Sequence, residues 1–193
     1  MKISSGWSKG LKILTPEGLD TRPTRERVRQ SAINMLQPWI PESRVLDLFA
    51  GSGAVGIEMV SRGARGARFV ESAPAAFKCL SDNINAAAQR AQSQKILQEP
   101  WEALQNKAES YLKSAPQSAY DLIWADPPYE ACAGFLNVAA SDLSRVLSSG
   151  GIFALESSLE PGVILGEVFN PDHLTLVKQR TYGATLITIW EKR

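Results

Sequence analysis

The segment Val45-Leu46-Asp47-Leu48-Phe49-Ala50-Gly51-Ser52-Gly53-Ala54-Val55-Gly56 sets a G-x-G-x-x-G pattern between an apolar strand and the start of a helix. Gly51 and Gly53 allow a tight turn and a close backbone approach to a ligand, and the helix that follows aims its free N–H groups at it. Glu71 stands 20 residues beyond Gly51, at the end of the next apolar run, Ala67-Arg68-Phe69-Val70-Glu71. A carboxylate there can accept hydrogen bonds from both hydroxyls of a ribose. The strand before a dinucleotide-binding turn is normally uncharged, whereas Asp47 lies inside this one. Its charge opposes a pyrophosphate and suits a ligand that carries an ammonium group.

Working outward, short apolar runs alternate with helical stretches, the texture of a parallel sheet covered by helices. Strands are predicted near 44–49, 67–71, 94–98, 120–125 and 151–156, with helices near 54–63, 73–90, 101–113 and 132–147. His173 to Gln179 and Ala184 to Trp190 face each other across Arg180, Thr181, Tyr182 and Gly183, too close for a helix, which predicts an antiparallel hairpin. Upstream, Ile3, Trp7, Leu11 and Ile13 share one parity, which suits two short strands around a turn near Ser8 to Gly10. Thr24 is placed to cap a helix whose stripe is Val28, Ala32, Met35 and Leu36, ended by Pro38. The division expected is a basic extension of hairpin and helix over 1–38 and a main domain over 39–193.

Composition narrows the chemistry. The chain has 193 residues, 44% hydrophobic and 21% charged, enough for a core without staples. Its apolar runs, such as Ala184 to Trp190, are far below the ~18 residues of a spanning helix. Lys2, Lys9 and Lys12 interrupt the amino-terminal apolar residues, so a secretory signal is not expected; the basic, hydroxyl-bearing stretch keeps a transit peptide as the competing reading. Cys79 and Cys132 lack C-x-x-C spacing, and with His173 the sole histidine, no metal site, disulfide scaffold or Ser-His-Asp triad is expected. Seven lysines and arginines against three carboxylates give residues 1–37 a net +4, so the remainder carries −3 of the chain's total of +1.

A second motif follows the run Tyr120 to Ala125: Asp126-Pro127-Pro128-Tyr129, at the carboxyl end of a strand, where open α/β sheets bind ligands. Two successive prolines fix two φ angles and remove two donors, leaving carbonyls that only accept. With the Asp126 carboxylate they make an acceptor pair for an NH2 group, and Tyr129 offers a face on which a base stacks. An ammonium-bearing, sulfonium-type nucleoside is preferred over NAD by Asp47, and no evident hydride-site acid or base is present.

Asp47 to Gly53 together with Asp126 to Tyr129 resembles the Rossmann-like, S-adenosylmethionine-dependent methyltransferases that act on exocyclic or amide nitrogens. With Thr21-Arg22-Pro23-Thr24, Arg27-Val28-Arg29 and the late Arg180-Thr181-Tyr182-Gly183, the chain resembles the RsmD-type family of bacterial methyltransferases over nearly its whole length. The resemblance implies a mostly parallel seven-stranded sheet ending in an antiparallel hairpin, and methylation of a guanine N2 amine in 16S ribosomal RNA. It assigns Asp47, Gly51 and Gly53 to the methionyl side of the cofactor, with Phe49 and Ser52 in the same loop, and Glu71 to its ribose. Arg22 and Thr24 are expected to close over the methionyl end, and Asp126, Pro127, Pro128 and Tyr129 to take the target amine and base. Two departures stand out: Gln98-Glu99-Pro100-Trp101 occupies the place expected for a small acidic or amide residue by the adenine, and Ser157 follows Glu156 where many relatives are expected to carry histidine.

An RNA-modifying role makes Lys2, Lys9, Lys12, Arg22, Arg25 and Arg29 candidate phosphate contacts, against the plainer reading of a solvated face. The expected partner is 16S rRNA or the small ribosomal subunit, in the cytoplasm, with the enzyme a monomer and no membrane contact. The alternatives are a DNA adenine-N6 methyltransferase, for which a recognition domain is lacking, a protein glutamine-N5 methyltransferase, and a non-catalytic RNA-binding assembly factor.

Overall fold

A computed structural model describes residues 1–16, 23–96, 99, 101–158 and 173–193. Seven strands form one sheet: β1 (Arg44–Leu48), β2 (Gly66–Glu71), β3 (Glu102–Gln105), β4 (Tyr120–Ala125), β5 (Leu147–Ser158), β6 (Leu174–Tyr182) and β7 (Thr185–Lys192). Their order is β3-β2-β1-β4-β5-β7-β6, with β7 antiparallel to both β5 and β6 and the other pairs parallel. This is the Rossmann-like arrangement expected, and the direction of winding reverses between β1 and β4. The helices are α1 (Pro23–Leu36), α2 (Ala54–Ser61), α3 (Pro74–Ser93), α4 (Ala108–Ser114) and α5 (Tyr129–Val146). None among the described residues is long and apolar enough to cross a membrane.

Strand alternation divides the core into two layers. Val45, Phe69, Leu122, Trp124 and Ile152 pack with Ile33, Ile57 and Leu80 of α1, α2 and α3. Leu46, Leu48, Ile123, Phe153 and Trp190 face the other way, onto Leu112, Phe135 and Leu136 of α4 and α5. At the amino ends of β1 and β4, the Arg44 guanidinium clasps Asp121 through Nε and Nη2, both at 2.9 Å.

The third strand differs from the sequence reading. Residues 94–96 end α3 in a turn, 97 and 98 lie outside the described residues, and the strand is Glu102-Ala103-Leu104-Gln105, inside the predicted helix 101–113. These residues favour helix by propensity, but the open edge of β2 offers hydrogen-bond partners, pairing Arg68 with Glu102 through Glu71 with Gln105. Only Ala108–Ser114 remains helical there. Other boundaries move as well. β5 begins at Leu147, directly after α5, and β6 runs through Arg180, Thr181 and Tyr182 to a tight turn at Gly183-Ala184.

The amino-terminal arm is less regular than two strands. Its pairing is the single bridge Lys2 to Lys12, flanked by Ile3 N–H to Leu11 O and Ile13 N–H to Met1 O, both at 3.0 Å. Trp7 is drawn away to α2, donating from its backbone to Ser61 O at 3.0 Å and from Nε1 to Val60 O at 3.1 Å. Ile3 and Ile13 are buried in the first core layer. Pro23, not a residue after Thr24, is the first residue of α1, since its missing N–H would be unpaired at that position in any case. The far end of α1 meets the carboxyl-terminal hairpin, where the Tyr182 hydroxyl donates to Met35 Sδ at 3.3 Å.

Candidate active site

One row of the sheet sets the site. Val70, Leu48, Ala125 and Leu155 stand side by side on β2, β1, β4 and β5, so Glu71, Phe49, Asp126 and Glu156 follow together at the carboxyl edge. The two motifs therefore lie on adjacent strands at the reversal point, where such sheets bind ligands.

The glycine loop is held from several sides. Ala50 N–H donates to Val70 O at 3.0 Å, Gly51 N–H to Glu71 Oε2 at 2.7 Å, and Gly53 N–H to Ala50 O at 2.7 Å. The other Glu71 oxygen accepts from Ala73 N–H at 2.7 Å, so this carboxylate is fixed before any ligand arrives. Gly51 and Gly53 have φ of 56° and 78°, left-handed values that β-carbons disfavour. A β-carbon on Gly53 would stand 2.5 Å from Leu80 Cδ1, whereas one on Gly51 would meet nothing within 4 Å, which marks the open side of the loop. Phe49 takes φ of 60° without being glycine, a strained backbone of the kind that clusters at functional sites. Its ring meets Phe135 edge-on, centroids 5.0 Å apart.

Asp47 is 1% exposed, and its Oδ2 accepts Gly56 N–H at 2.9 Å. It anchors the start of α2 rather than offering the site an open carboxylate. Burial pushes its pKa up to about 8, the Gly56 hydrogen bond opposes this, and the nearby charges of Asp126 and Glu71 push it further up. Three carboxyl groups thus gather at one sheet edge, the buried one holding its proton beside the other two, and the Gly56 N–H at the helix start is already taken.

On the β4 side, Asp126 is exposed, Pro127 is buried, and Tyr129 opens α5 with 46% of its surface exposed. The helix start at Tyr129, ahead of the predicted 132, engages one proline carbonyl: Ala131 N–H donates to Pro128 O at 2.8 Å. Of the two proline carbonyls, that of Pro128 is thus used in starting the helix. Ser52 lies in the loop as expected and offers its carbonyl to Asn83 Nδ2 at 2.9 Å. Arg22 lies outside the described residues, as do the side chains of Thr24 and Arg25 on α1.

Arg29 is a correction. It is 8% exposed, and its Nη1 donates to Glu58 Oε2 at 2.7 Å while Arg62 Nη2 donates to Glu58 Oε1 at 2.8 Å. Burial alone would raise the Glu58 pKa, but hydrogen bonds from Ser4 and Arg62 and the charge of Arg29 outweigh it and hold the pKa below the usual range. Arg29 thus ties α1 to α2 and is not presented to a phosphate. Lys2, Lys9 and Lys12 are exposed, and so is Arg27, which the phosphate-contact assignment omitted.

The displaced third strand also moves the position that follows it. Gln98-Glu99-Pro100-Trp101 precedes β3, and the residue after β3 is the exposed Asn106. Asn106 N–H donates to Glu71 O at 3.1 Å, beside the loop, and its Oδ1 accepts Lys107 N–H at 2.8 Å. An amide residue closing the third strand was the sequence signal; the wrong strand boundary hid it.

A family model described as Conserved hypothetical protein 95 matches residues 1–191. The Bacillus subtilis (strain 168) protein YlbH is 31% identical over 195 residues, covering 100% of both chains. Ribosomal RNA small subunit methyltransferase D of Escherichia coli (strain K12) is 31% identical over 167 residues, covering 84% of this chain and 77% of the relative. Among solved structures, the Escherichia coli protein YhhF superposes with a TM-score of 0.80 at 28% identity, covering 100% of this chain and 98% of that one.

Proposed function

Because the chain belongs to the RsmD-type family of ribosomal RNA methyltransferases, we propose that it transfers a methyl group from S-adenosylmethionine to the exocyclic N2 amine of a guanine in 16S rRNA. The observation that carries the cofactor reading is the occupied start of α2. Asp47 takes the Gly56 N–H, and Glu71 and Asp126 place negative charge at the same edge, so the crevice fits a cationic sulfonium with its ammonium group and disfavours a pyrophosphate. When bound, S-adenosylmethionine supplies a methyl group activated by a positively charged sulfur.

The residues of this chain then have distinct tasks. Glu71, held by Gly51 and Ala73, keeps lone pairs for the ribose hydroxyls. Asn106 offers its side-chain NH2 group toward the adenine end, and Gly51 leaves room for the methionyl part. An aromatic NH2 is a poor nucleophile because its lone pair is delocalised into the ring. Asp126 and Pro127 O accept hydrogen bonds from its two N–H groups, favouring a pyramidal nitrogen whose lone pair points at the methyl carbon. Tyr129 stacks on the base, and alignment on two adjacent strands supplies much of the barrier reduction. The proton released after transfer leaves through Asp126 or water. Lys2, Lys9, Lys12 and Arg27 face the RNA backbone, and the protein works in the cytoplasm on 16S rRNA or an assembling small subunit.

The deciding experiment incubates the protein with methyl-labelled S-adenosylmethionine and undermethylated small subunits or their RNA, followed by nucleoside analysis. Label in N2-methylguanosine is the expected result. Label in N6-methyladenine of DNA, or in a protein glutamine amide, would overturn the substrate assignment.

A further inference from the structure

Asn83 interrupts the apolar stripe of Leu80, Ile84 and Ala87 on α3 and is 1% exposed. A buried amide is tolerated only when its groups are paired, and this one spends them on two distant backbone segments. Its Oδ1 accepts Leu14 N–H at 2.8 Å, and its Nδ2 donates to Leu14 O and to Ser52 O, each at 2.9 Å. Leu14 belongs to the arm that carries Lys2, Lys9 and Lys12; Ser52 stands between the two left-handed glycines of the loop. Rotating the peptide between Ser52 and Gly53 would break both the Asn83 contact and the 2.7 Å bond from Gly53 N–H to Ala50 O. Two helical turns further along α3, Arg90 Nη2 donates to Lys9 O at 3.0 Å, a second attachment of the same arm.

We infer that Asn83 is a positioning residue that couples the glycine loop to the amino-terminal arm, so that cofactor binding tightens the arm and engagement of the arm by RNA tightens the cofactor. The inference rests on the reading of the loop as the S-adenosylmethionine site. The coupling is reciprocal because one side chain holds both segments, and whichever ligand orders its own segment improves the pairing that the other uses.

The test combines calorimetric titration of S-adenosylhomocysteine with amide hydrogen exchange of residues 3–14 in the full chain. In the unaltered protein, saturating S-adenosylhomocysteine should slow exchange in this arm by on the order of tenfold, with the Leu14 amide among those affected. In Asn83→Leu, close in volume but unable to pair, affinity for S-adenosylhomocysteine should fall roughly tenfold and arm exchange should cease to respond to it. Arm exchange that ignores S-adenosylhomocysteine in the unaltered protein, or that responds equally in the variant, overturns the coupling. The first of these needs no variant, so it decides even if Asn83→Leu fails to fold. Failure of S-adenosylhomocysteine to bind the unaltered protein overturns the cofactor reading itself, and the coupling with it.

Discussion

Arg29 Nη1 donates to Glu58 Oε2 across 2.7 Å in a setting where the Glu58 side chain is wholly buried and that of Arg29 is 9% exposed. Removing Arg29 takes one of two guanidinium partners from the buried Glu58, leaving Arg62 at 2.8 Å, at a cost of about 1.5–3 kcal/mol, the worth of a hydrogen bond to a charged group. Arg29→Ala should therefore lower the midpoint of chemical denaturation strongly. The triple exchange Lys2→Ala, Lys9→Ala and Lys12→Ala should change it little while reducing RNA affinity and the salt slope, by about 0.7 per lost phosphate contact. Charge exchange is the cleaner test than deleting the arm, because Ile3 and Ile13 are core residues. Equal salt slopes for the triple variant and the unaltered protein would remove the arm from the RNA interface.

Asp47 gives a pH dependence with a defined sign. Its folded pKa, about 8, lies above the ordinary 3.8, so the native state keeps a proton that the unfolded chain has released. The associated stability is complete below about 3.8 and is lost as pH rises toward about 8. Asp47→Asn should flatten this decline relative to the unaltered protein in urea titrations across the interval. The same variant should abolish the gain in cofactor affinity that ionisation of Asp47 provides at higher pH.

Asp126→Ala should reduce turnover by about 10²–10³, the effect of losing one well-placed polar group in a transition state. Cofactor affinity should stay within about threefold, since the group acts on the amine. Near-normal single-turnover rates in this variant would refute its role.

Gly51→Ala and Gly53→Ala should separate. Both impose a left-handed β-carbon, at about 1–2 kcal/mol, but only Gly53→Ala also collides with Leu80, 2.5 Å away. Gly53→Ala should be the less stable protein in thermal denaturation. Gly51→Ala, whose methyl points into the crevice, should lose cofactor affinity in excess of its loss of stability, by roughly tenfold or about 1.4 kcal/mol.

Asn106→Ala should raise KM for S-adenosylmethionine roughly fivefold at unchanged kcat, the signature of removing one binding hydrogen bond of about 1 kcal/mol. A change in kcat instead would place Asn106 outside the adenine contact.

Most of the scaffold is legible in the sequence because its central strands advertise themselves. Val45 to Leu48 and Leu122 to Ala125 are covered on both faces, so they read as apolar runs, the first broken only by Asp47, ending in a glycine loop and a proline corner. β3 escapes that logic: Glu102 and Gln105 are exposed, and an edge strand with helix-favouring residues is defined by its neighbour rather than by its own pattern. Arg29 misleads for a related reason. Spacing from Arg25 suggests a basic face, but burial depends on Glu58, 29 residues away, which nothing local announces. The bridging role of Asn83 is equally tertiary; only the interruption of an apolar stripe by an amide hints at it.

The side-by-side register of Leu48 with Ala125 has a further consequence. Donor loop and acceptor corner spring from neighbouring strands about 4.8 Å apart, a spacing enforced by main-chain pairing in the middle of the molecule. Under the proposed function, the placement of the cofactor loop beside the base corner is thus inherited from the sheet's own lattice. What the surrounding segments are left to decide is which base enters, so the choice of target can drift through surface exchanges while the transfer geometry stays where the backbone put it.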